Sequence, residues 1–337
     1  CHTHLCWAGS RANDFALRLA GKSYLDIAHA GGGIASTVRH TRAASLEELV
    51  ASTTQRANHL LAEGVTTIEV KSGYGLTVPD ELKMLQAIKQ ALTPADRIAT
   101  CLAAHICPPD FPGTRQEYLQ QMVDELLPVV WELGLARRVD IFIEDAAFTP
   151  DEARFYLYEA QKMGFETVVH GDQFTRGGSQ FAAEHQAVSV DHLEALDTHD
   201  IETLARSEVV AVVLPGASLG LGLPFAPARK ILDAGCCLAI SSDWNPGTAP
   251  MGDLLLQATL LGTYEKLSIA ELFSGMTIRA ARALRLTDRG ILKEGFLADI
   301  CAFPTDDYRE IVYRQGKLKP VKVWKRGIEC VEETLDT

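Results

Sequence analysis

Positive charge is scarce in this chain, and the features that mark a membrane-spanning protein are missing. Its 337 residues hold 32 Lys and Arg against 44 Asp and Glu, which gives a formal net charge of −12. An acidic surface disfavours binding to nucleic acid or to an anionic membrane face. No apolar run approaches the roughly 20 residues that a transmembrane helix needs, and no signal peptide is recognisable. We therefore predict a soluble protein with no nucleic-acid or membrane partner.

Paired cysteines are also lacking. The eight cysteines include no C-x-x-C pair and show no regular spacing, and five of them lie in or beside apolar, strand-like runs. Reduced cysteines behave as small apolar core residues, and they persist in a reducing compartment. The sequence therefore predicts a cytoplasmic protein.

From residue 64 onward, apolar strand-like runs alternate with helical runs. Seven such β/α units follow one another, from the strand-like run 64–73 to the run 236–243. This alternation predicts a parallel sheet with helices outside it. One further strand before His2 would complete the eight strands of a (β/α)₈ TIM-like barrel. An open doubly wound sheet is the alternative, but the even spacing and the lack of a glycine fingerprint disfavour it.

The two ends of the chain are expected to complete each other. The sequence begins without Met, directly on a histidine pair, so we expect an N-terminal segment carrying the first strand to be missing from it. Beyond residue 287, short strand-like runs occupy 290–295, 298–303 and 321–327. Because three short strands are not stable alone, we predict a barrel over 1–287 and, over 288–337, the C-terminal segment of a small β-sandwich.

Histidines stand where the predicted strands end. His2 and His4 are one residue apart, so a strand turns both side chains to one face. Chemistry in such barrels takes place at the carboxyl ends of the strands. Half of the ten histidines fall at these ends: His2, His4, His105, His170 and His192. The sequence therefore predicts a site at this rim of the barrel.

His2, His4, His170 and Asp243 together offer three imidazoles and a carboxylate. Such a set holds a catalytic metal and leaves room for a water molecule, whose pKa the metal lowers to about 7. We predict one divalent or trivalent ion per chain, zinc or iron, since both suit nitrogen and oxygen donors. We predict two catalytic residues. Asp243 accepts the proton of the water, and His192, one strand away, polarises a carbonyl or shuttles a proton.

The positions of these residues resemble the amidohydrolase superfamily, as does the run 290–300, G-x-L-x-x-G-x-x-A-D-I. Longer motifs are most similar to its imidazolonepropionases, the ring-opening enzymes of histidine breakdown. They read C-H-T-H-L-x-W-A-G-S-R, G-G-G-I-x-S-T-V, V-K-S-G-Y-G-L, A-A-H-x-x-P-P, V-D-H-L and S-S-D-W-N-P-G-T-A-P. The resemblance covers essentially the whole chain.

This resemblance implies a homodimer that hydrolyses the cyclic amide of 4-imidazolone-5-propanoate to N-formimidoyl-L-glutamate. It implies the same four metal ligands. The substrate-binding residues that it implies are Arg11, Tyr74, His105, Gln173, Asn245, Gly247 and Thr248. Arg11 also has a physical rationale, because an anionic substrate of an acidic protein needs a local guanidinium that can pair with its carboxylate.

Gln173 bears on the alternative functions. Many aminohydrolases of the superfamily carry Glu three residues after the histidine of the fifth barrel strand, counted from the expected strand before His2. At that position, three residues after His170, this chain carries Gln173. An amide cannot donate and retrieve protons as a carboxyl does, so we expect Gln173 to orient the substrate. A purine or pyrimidine aminohydrolase is one alternative, which Gln173 and Arg11 disfavour. A non-catalytic ligand-binding barrel is another, which the full set of metal ligands disfavours.

Overall fold

A parallel sheet of seven strands, ordered β1 to β7 as in the sequence, forms the centre of the computed structural model, which describes residues 1–22, 26 and 31–332. Each strand pairs in parallel with the next. The strands are β1 Thr67–Lys71, β2 Asp96–Ala104, β3 Arg138–Ile143, β4 Glu166–Gly171, β5 Ser189–His192, β6 Val210–Val213 and β7 Leu238–Ile240. The predicted α/β class and the seven predicted barrel strands are confirmed.

Residues at the start of the chain lie between the first and last of these strands. Thr3 pairs in parallel with Trp244 just beyond β7, and the His4 N–H donates to the Trp244 carbonyl over 2.9 Å. On the other side, the N–H of Lys71 at the end of β1 donates to the Thr3 carbonyl over 2.9 Å. Residues 2–4 therefore occupy the place of a strand end between β7 and β1, as the TIM-like fold requires.

Helices cover the outside of the sheet, and apolar side chains fill the space between. They are Ala12–Leu19, Ile34–Ala43, Leu46–Ala62, Val78–Gln90, Arg115–Gln121, Leu127–Glu132, Pro150–Lys162, Gly178–Glu184, Thr198–Ala205, Pro215–Leu221, Ala228–Asp233, Leu254–Glu265, Ile269–Met276, Ile278–Ala283 and Arg309–Tyr313, with a π-helical turn at Met122–Leu126. Reciprocal capping boxes fix several helix starts, including those at Ser45 and Thr149. Along the described part of the chain, none of the helices has the length and apolarity to span a bilayer.

A second, antiparallel sheet lies near the C-terminus in the order β10–β9–β8. Its strands are β8 Ile300–Ala302, β9 Lys322–Lys325 and β10 Ile328–Glu332. The predicted strands at 298–303 and 321–327 correspond to β8 and β9. The domain boundary at residue 287 stays a prediction.

The sequence-based prediction is wrong at two places next to this sheet. Residues 290–295 form bends and turns instead of a strand. The pattern over residues 269–286 predicts one helix, but two helices form there, separated at Thr277, whose backbone is not helical. The two differences lie side by side in the structure. Gly290 packs so closely on this break that a Cβ there would lie 2.7 Å from the Ile278 Cα.

Candidate metal centre and active site

Three histidines converge at the carboxyl end of the barrel. His2 and His4 come from the segment between β7 and β1, and His170 comes from β4. The His4 Nε2 lies 3.3 Å from the His2 Nε2 and 3.5 Å from the His170 Nε2. All three rings are buried. Burial lowers the pKa of each well below its ordinary value, so the three imidazoles are neutral.

Asp243 joins this cluster from the loop after β7. Its Oδ1 lies 3.3 Å from the His2 Nε2 and 3.5 Å from the His4 Nε2. Within the described residues, this buried oxygen has no hydrogen-bond donor. The other oxygen, Oδ2, accepts a hydrogen bond of 2.9 Å from the Asn245 amide. Burial raises the pKa of the Asp243 carboxyl to about 6.

The proton positions on two of the histidines follow from their second nitrogens. The His2 Nδ1 lies 2.6 Å from the Asp191 carboxylate, and the His170 Nδ1 lies 2.9 Å from the Asp140 carboxylate. A neutral imidazole that donates from Nδ1 presents a lone pair at Nε2. The lone pair of the His2 Nε2 therefore faces the Asp243 Oδ1 over 3.3 Å with no proton between them. Acceptors at such distances repel one another unless a cation lies among them, so the four residues fit a metal ion.

His192 and Asp243 share an unusual backbone conformation. Their φ angles are +97° and +48°. Residues other than glycine rarely adopt positive φ, and those that do cluster at functional sites. The ring of His192 lies 5.4 Å from that of His170, centroid to centroid. Burial by itself would lower the pKa of His192, but the Glu194 carboxylate, 3.7 Å from its Nδ1, outweighs burial and raises that pKa.

Tyr74 and His105 line the side of the centre next to His4. The ring centroids of His105 and His4 lie 5.7 Å apart, and those of Tyr74 and His105 lie 5.5 Å apart. The His105 Nδ1 donates to the Gly73 carbonyl over 2.9 Å, and burial lowers the pKa of the ring to about 4. His105 is therefore neutral, with its Nε2 available as a hydrogen-bond acceptor.

Arg11 approaches the loop after β7 from the opposite direction. Its Nε donates to the Asp14 carboxylate over 2.8 Å, and the same carboxylate oxygen accepts from the Gly33 N–H over 2.8 Å. A Cβ added to Gly247 would lie 2.4 Å from the Arg11 Nη1, so the guanidinium lies directly against this glycine. Arg18, to which the sequence gave no role, donates to the Gly247 carbonyl over 3.1 Å.

The amide of Asn245 is used within its own loop. Its Nδ2 donates to the Thr248 hydroxyl over 2.9 Å as well as to Asp243. Its Oδ1 accepts from the N–H groups of Gly247 and Thr248 over 2.7 and 2.8 Å. Asn245 therefore fixes the loop and the Asp243 carboxylate, and its predicted contact with substrate stays a prediction.

Two buried carboxylates fix further loops: Glu144, a polar residue at the end of a predicted strand, and Glu81, which sequence reasoning missed. Glu81 accepts hydrogen bonds from three N–H groups of the loop that carries Tyr74. Glu144 accepts from the N–H groups of the two residues that follow Gln173. Glu81 belongs to the first turn of a helix, where an acid is ordinarily a surface residue. Nothing in the sequence pattern distinguishes Glu81 from such a surface acid.

Comparison with known proteins identifies the family. The profile described as "Amidohydrolase family" matches residues 1–328. The chain is 44% identical over 329 residues to the imidazolonepropionase of Bdellovibrio bacteriovorus, covering 97% of this chain and 77% of that protein. It is 43% identical over 339 residues to the imidazolonepropionase of Myxococcus xanthus, covering 99% and 80% respectively. The chain belongs to the imidazolonepropionases of the amidohydrolase family.

Solved structures at low sequence identity share the fold. A 5-methylcytosine deaminase from Klebsiella pneumoniae superposes with a TM-score of 0.76 at 17% identity, covering 100% of this chain and 86% of that one. An atrazine chlorohydrolase mutant from Arthrobacter aurescens, complexed with zinc and atraton, gives 0.67 at 16% identity, covering 98% and 82%. At these identities the likeness shows the fold alone.

Family membership confirms the resemblance predicted from the motifs, and with it the hydrolase class. Family membership supports neither of the two alternative functions, the purine or pyrimidine aminohydrolase and the non-catalytic ligand-binding barrel. The structure brings the four predicted metal ligands together, with Tyr74 and His105 beside them. Arg11 meets the loop of Asn245, Gly247 and Thr248. The roles given to these residues, to Gln173 and to His192 stay predictions.

Proposed function

We propose that the chain hydrolyses the cyclic amide of 4-imidazolone-5-propanoate to N-formimidoyl-L-glutamate, using one metal ion held by His2, His4, His170 and Asp243. The observation that carries the proposal is that the neutral Nε2 atoms of His2 and His4 lie 3.3 and 3.5 Å from the Asp243 Oδ1, with the His170 Nε2 3.5 Å from that of His4, in a member of the imidazolonepropionases. Zinc and iron both suit this donor set. When bound, the ion would polarise the ring carbonyl and lower the pKa of a water molecule to about 7.

Asp243 carries the proton in this mechanism. It removes a proton from the attacking water as the water oxygen bonds to the ring carbonyl carbon. It then delivers the proton to the ring nitrogen as the carbon–nitrogen bond breaks. A carboxylate within hydrogen-bond reach of both the water and the ring nitrogen can accept a proton and return it. Asn245, bonded to its Oδ2, keeps the carboxylate turned toward the centre.

His192 stabilises the negative charge that develops on the carbonyl oxygen. Its raised pKa favours the protonated, donating form, and its ring centroid lies 5.4 Å from that of His170 and 5.8 Å from that of His2. A positioned donor of this kind is worth about 2.7–4 kcal/mol in the transition state of acyl transfer.

The remaining predicted residues orient the substrate. Arg11 pairs with the propionate carboxylate, because a guanidinium can bind both carboxylate oxygens at once. The His105 Nε2 accepts a ring N–H. Tyr74, Gln173 and Thr248 supply further hydrogen bonds around the ring and the opened product.

A ring-opening assay tests the proposed reaction. Zinc-loaded protein should consume enzymatically prepared imidazolone propionate, seen as loss of its ultraviolet absorbance, and should yield N-formimidoyl-L-glutamate without ammonia. The matched control is Asp243→Asn, which should abolish turnover. Release of ammonia from cytosine or adenine with no loss of imidazolone absorbance would favour an aminohydrolase instead.

The homodimer, the cytoplasmic location and the absence of a nucleic-acid partner belong to the same proposal. All eight cysteines are unpaired, which supports a reducing compartment. The net charge of −12 argues against a nucleic-acid partner. Light scattering of the purified protein, read as mass per particle, tests the dimer.

A further inference from the structure

A lysine side chain lies fully buried inside the ring of strands. The Lys71 Nζ lies 2.9 Å from the Glu69 carboxylate, 2.8 Å from Asp140 and 3.6 Å from Asp191. An isolated buried ammonium is costly, so it needs such partners. Burial alone would lower the pKa of Lys71, but the three carboxylates outweigh it and raise that pKa above its ordinary value. Lys71 is therefore a buried cation.

Two of its three carboxylate partners also contact the proposed metal ligands. The Asp140 Oδ2 that accepts from Lys71 lies 2.9 Å from the His170 Nδ1, and the Asp140 Oδ1 accepts from the His170 N–H over 3.2 Å. The Asp191 Oδ2 lies 2.6 Å from the His2 Nδ1. One ammonium thus touches both carboxylates that orient histidines of the centre.

The cluster depends on this charge. Without Lys71, the carboxylates of Glu69, Asp140 and Asp191 would lie together in a dry interior. Without the ammonium, Asp140 would lose its charge-assisted hydrogen bond and Asp191 its ion pair, and like charges at this spacing would turn the side chains away from one another. An aspartate that turns away no longer fixes the ring of the histidine beside it, so the direction of that histidine's Nε2 lone pair is lost. Arg138 does not substitute for Lys71, since its Nε is 3.9 Å from Glu69 and its Nη1 is bonded to Glu166.

We propose that Lys71 is a positioning residue that holds Asp140 and Asp191 in place, and through them keeps His170 and His2 oriented to bind metal. The inference rests on the metal ligands proposed above. Lys71 contacts neither ligand histidine in this arrangement and acts through the two aspartates. Removing the carboxylate that orients a metal-binding histidine typically lowers metal affinity about 10–100-fold. Removing Lys71 should have an effect of the same order.

The test is metal binding, measured without turnover. Lys71→Met removes the charge and keeps the length of the side chain. Zinc affinity, from competition with a chromogenic chelator, should fall about 10–100-fold, and the visible spectrum of the cobalt-loaded protein should change. Lys325→Met is the matched control, because Lys325 is also buried and bonded to two carboxylates, Asp299 and Asp96, but in the small sheet. It should cost stability and leave zinc affinity and the cobalt spectrum unchanged.

A second variant covers the case in which Lys71→Met does not fold, and two outcomes separate the role of Lys71 from the proposed metal centre. If Lys71→Met does not fold, the double variant Lys71→Met/Glu69→Gln removes a buried charge of each sign and should show the same loss of zinc affinity. Unchanged zinc affinity and an unchanged cobalt spectrum in the folded variant would overturn the role of Lys71. Failure of the wild-type protein to bind zinc would instead overturn the proposed metal centre.

Discussion

Among single residues, Arg11 is the proposed partner of the substrate carboxylate. Asp14 orients its guanidinium through Nε, while Nη1 lies at Gly247. We predict that Arg11→Ala raises KM strongly and leaves bound metal unchanged. Leaving a buried carboxylate unpaired costs about 2–5 kcal/mol, which corresponds to a loss of kcat/KM between about 30-fold and several thousand-fold. Steady-state kinetics and metal analysis measure the two effects.

Three comparisons show whether the loss of kcat/KM in Arg11→Ala comes from the lost positive charge. Arg11→Lys should recover only part of the loss, because an ammonium cannot pair with both carboxylate oxygens. Arg18→Ala should cost much less, since Arg18 donates to a backbone carbonyl. An analogue with the propionate amidated should be a poor substrate that Arg11→Ala hardly affects. An equal loss for the natural substrate and the amide would mean that Arg11 is structural.

Much of the centre could be predicted from sequence at this scale. The four proposed metal ligands follow from histidine and aspartate at strand ends, because the carboxyl ends of parallel strands meet at one rim. Glu69, Asp140 and Asp191 could not be predicted as a cluster with Lys71. They lie inside strands β1, β3 and β5, and only the curvature of the sheet brings them together. Arg18 was missed because a helix arginine ordinarily faces solvent.

Among the structural elements, the loop after β7 connects the proposed metal centre to Arg11. Gly247 leaves no room for a side chain, since a Cβ there would lie 2.4 Å from the Arg11 Nη1. We predict that Gly247→Ala displaces the guanidinium and raises KM by at least 10-fold, while the metal remains bound. The measurement is kcat and KM of the metal-loaded variant, with metal content determined on the same sample.

A double-mutant cycle isolates the cause of this effect. If Gly247→Ala acts by moving Arg11, then in the Arg11→Ala background it should add almost nothing. Fully additive losses in the double variant would show that the methyl group disturbs Asn245 or Asp243 instead.

The elements themselves differ in how far the sequence determined them. The seven barrel strands were predicted because each is a buried apolar run, which a parallel sheet requires. Residues 290–295 carry a strand-like pattern but form turns, because Gly290 packs against the helix break at Thr277. Contacts between segments that lie far apart in the sequence decided this, and a local pattern contains no information about them.

At the scale of the whole molecule, Asp96 ties the small sheet to the start of β2. It forms ion pairs with Arg289, Lys325 and Arg326 at 2.5, 2.9 and 3.0 Å. Burial alone would raise the pKa of Asp96, but these cations outweigh burial and lower it from 3.8 to about 2. A lowered folded-state pKa means that the stabilisation is complete above 3.8 and is lost as the pH falls toward 2.

We therefore predict a pH-dependent cost for Asp96→Asn. The variant should lose about 1–3 kcal/mol of unfolding free energy at pH 7, as expected when charged hydrogen bonds are removed. The difference from wild type should shrink once the pH falls below 3.8. Urea unfolding at a series of pH values measures it, and Asp306→Asn, at an exposed position, is the control. A difference that stays constant down to pH 3 would contradict the ionic role of Asp96.

The proposed hydrolysis of imidazolone propionate depends above all on one metal ion per chain, held by three histidines and Asp243. The most direct measurement is a titration of metal-stripped protein with zinc, with the rate of imidazolone propionate hydrolysis recorded at each addition. We predict that the stripped protein is inactive, and that the rate rises linearly and levels off at one zinc per chain. Full activity without metal, or a plateau only at two ions per chain, would contradict the account.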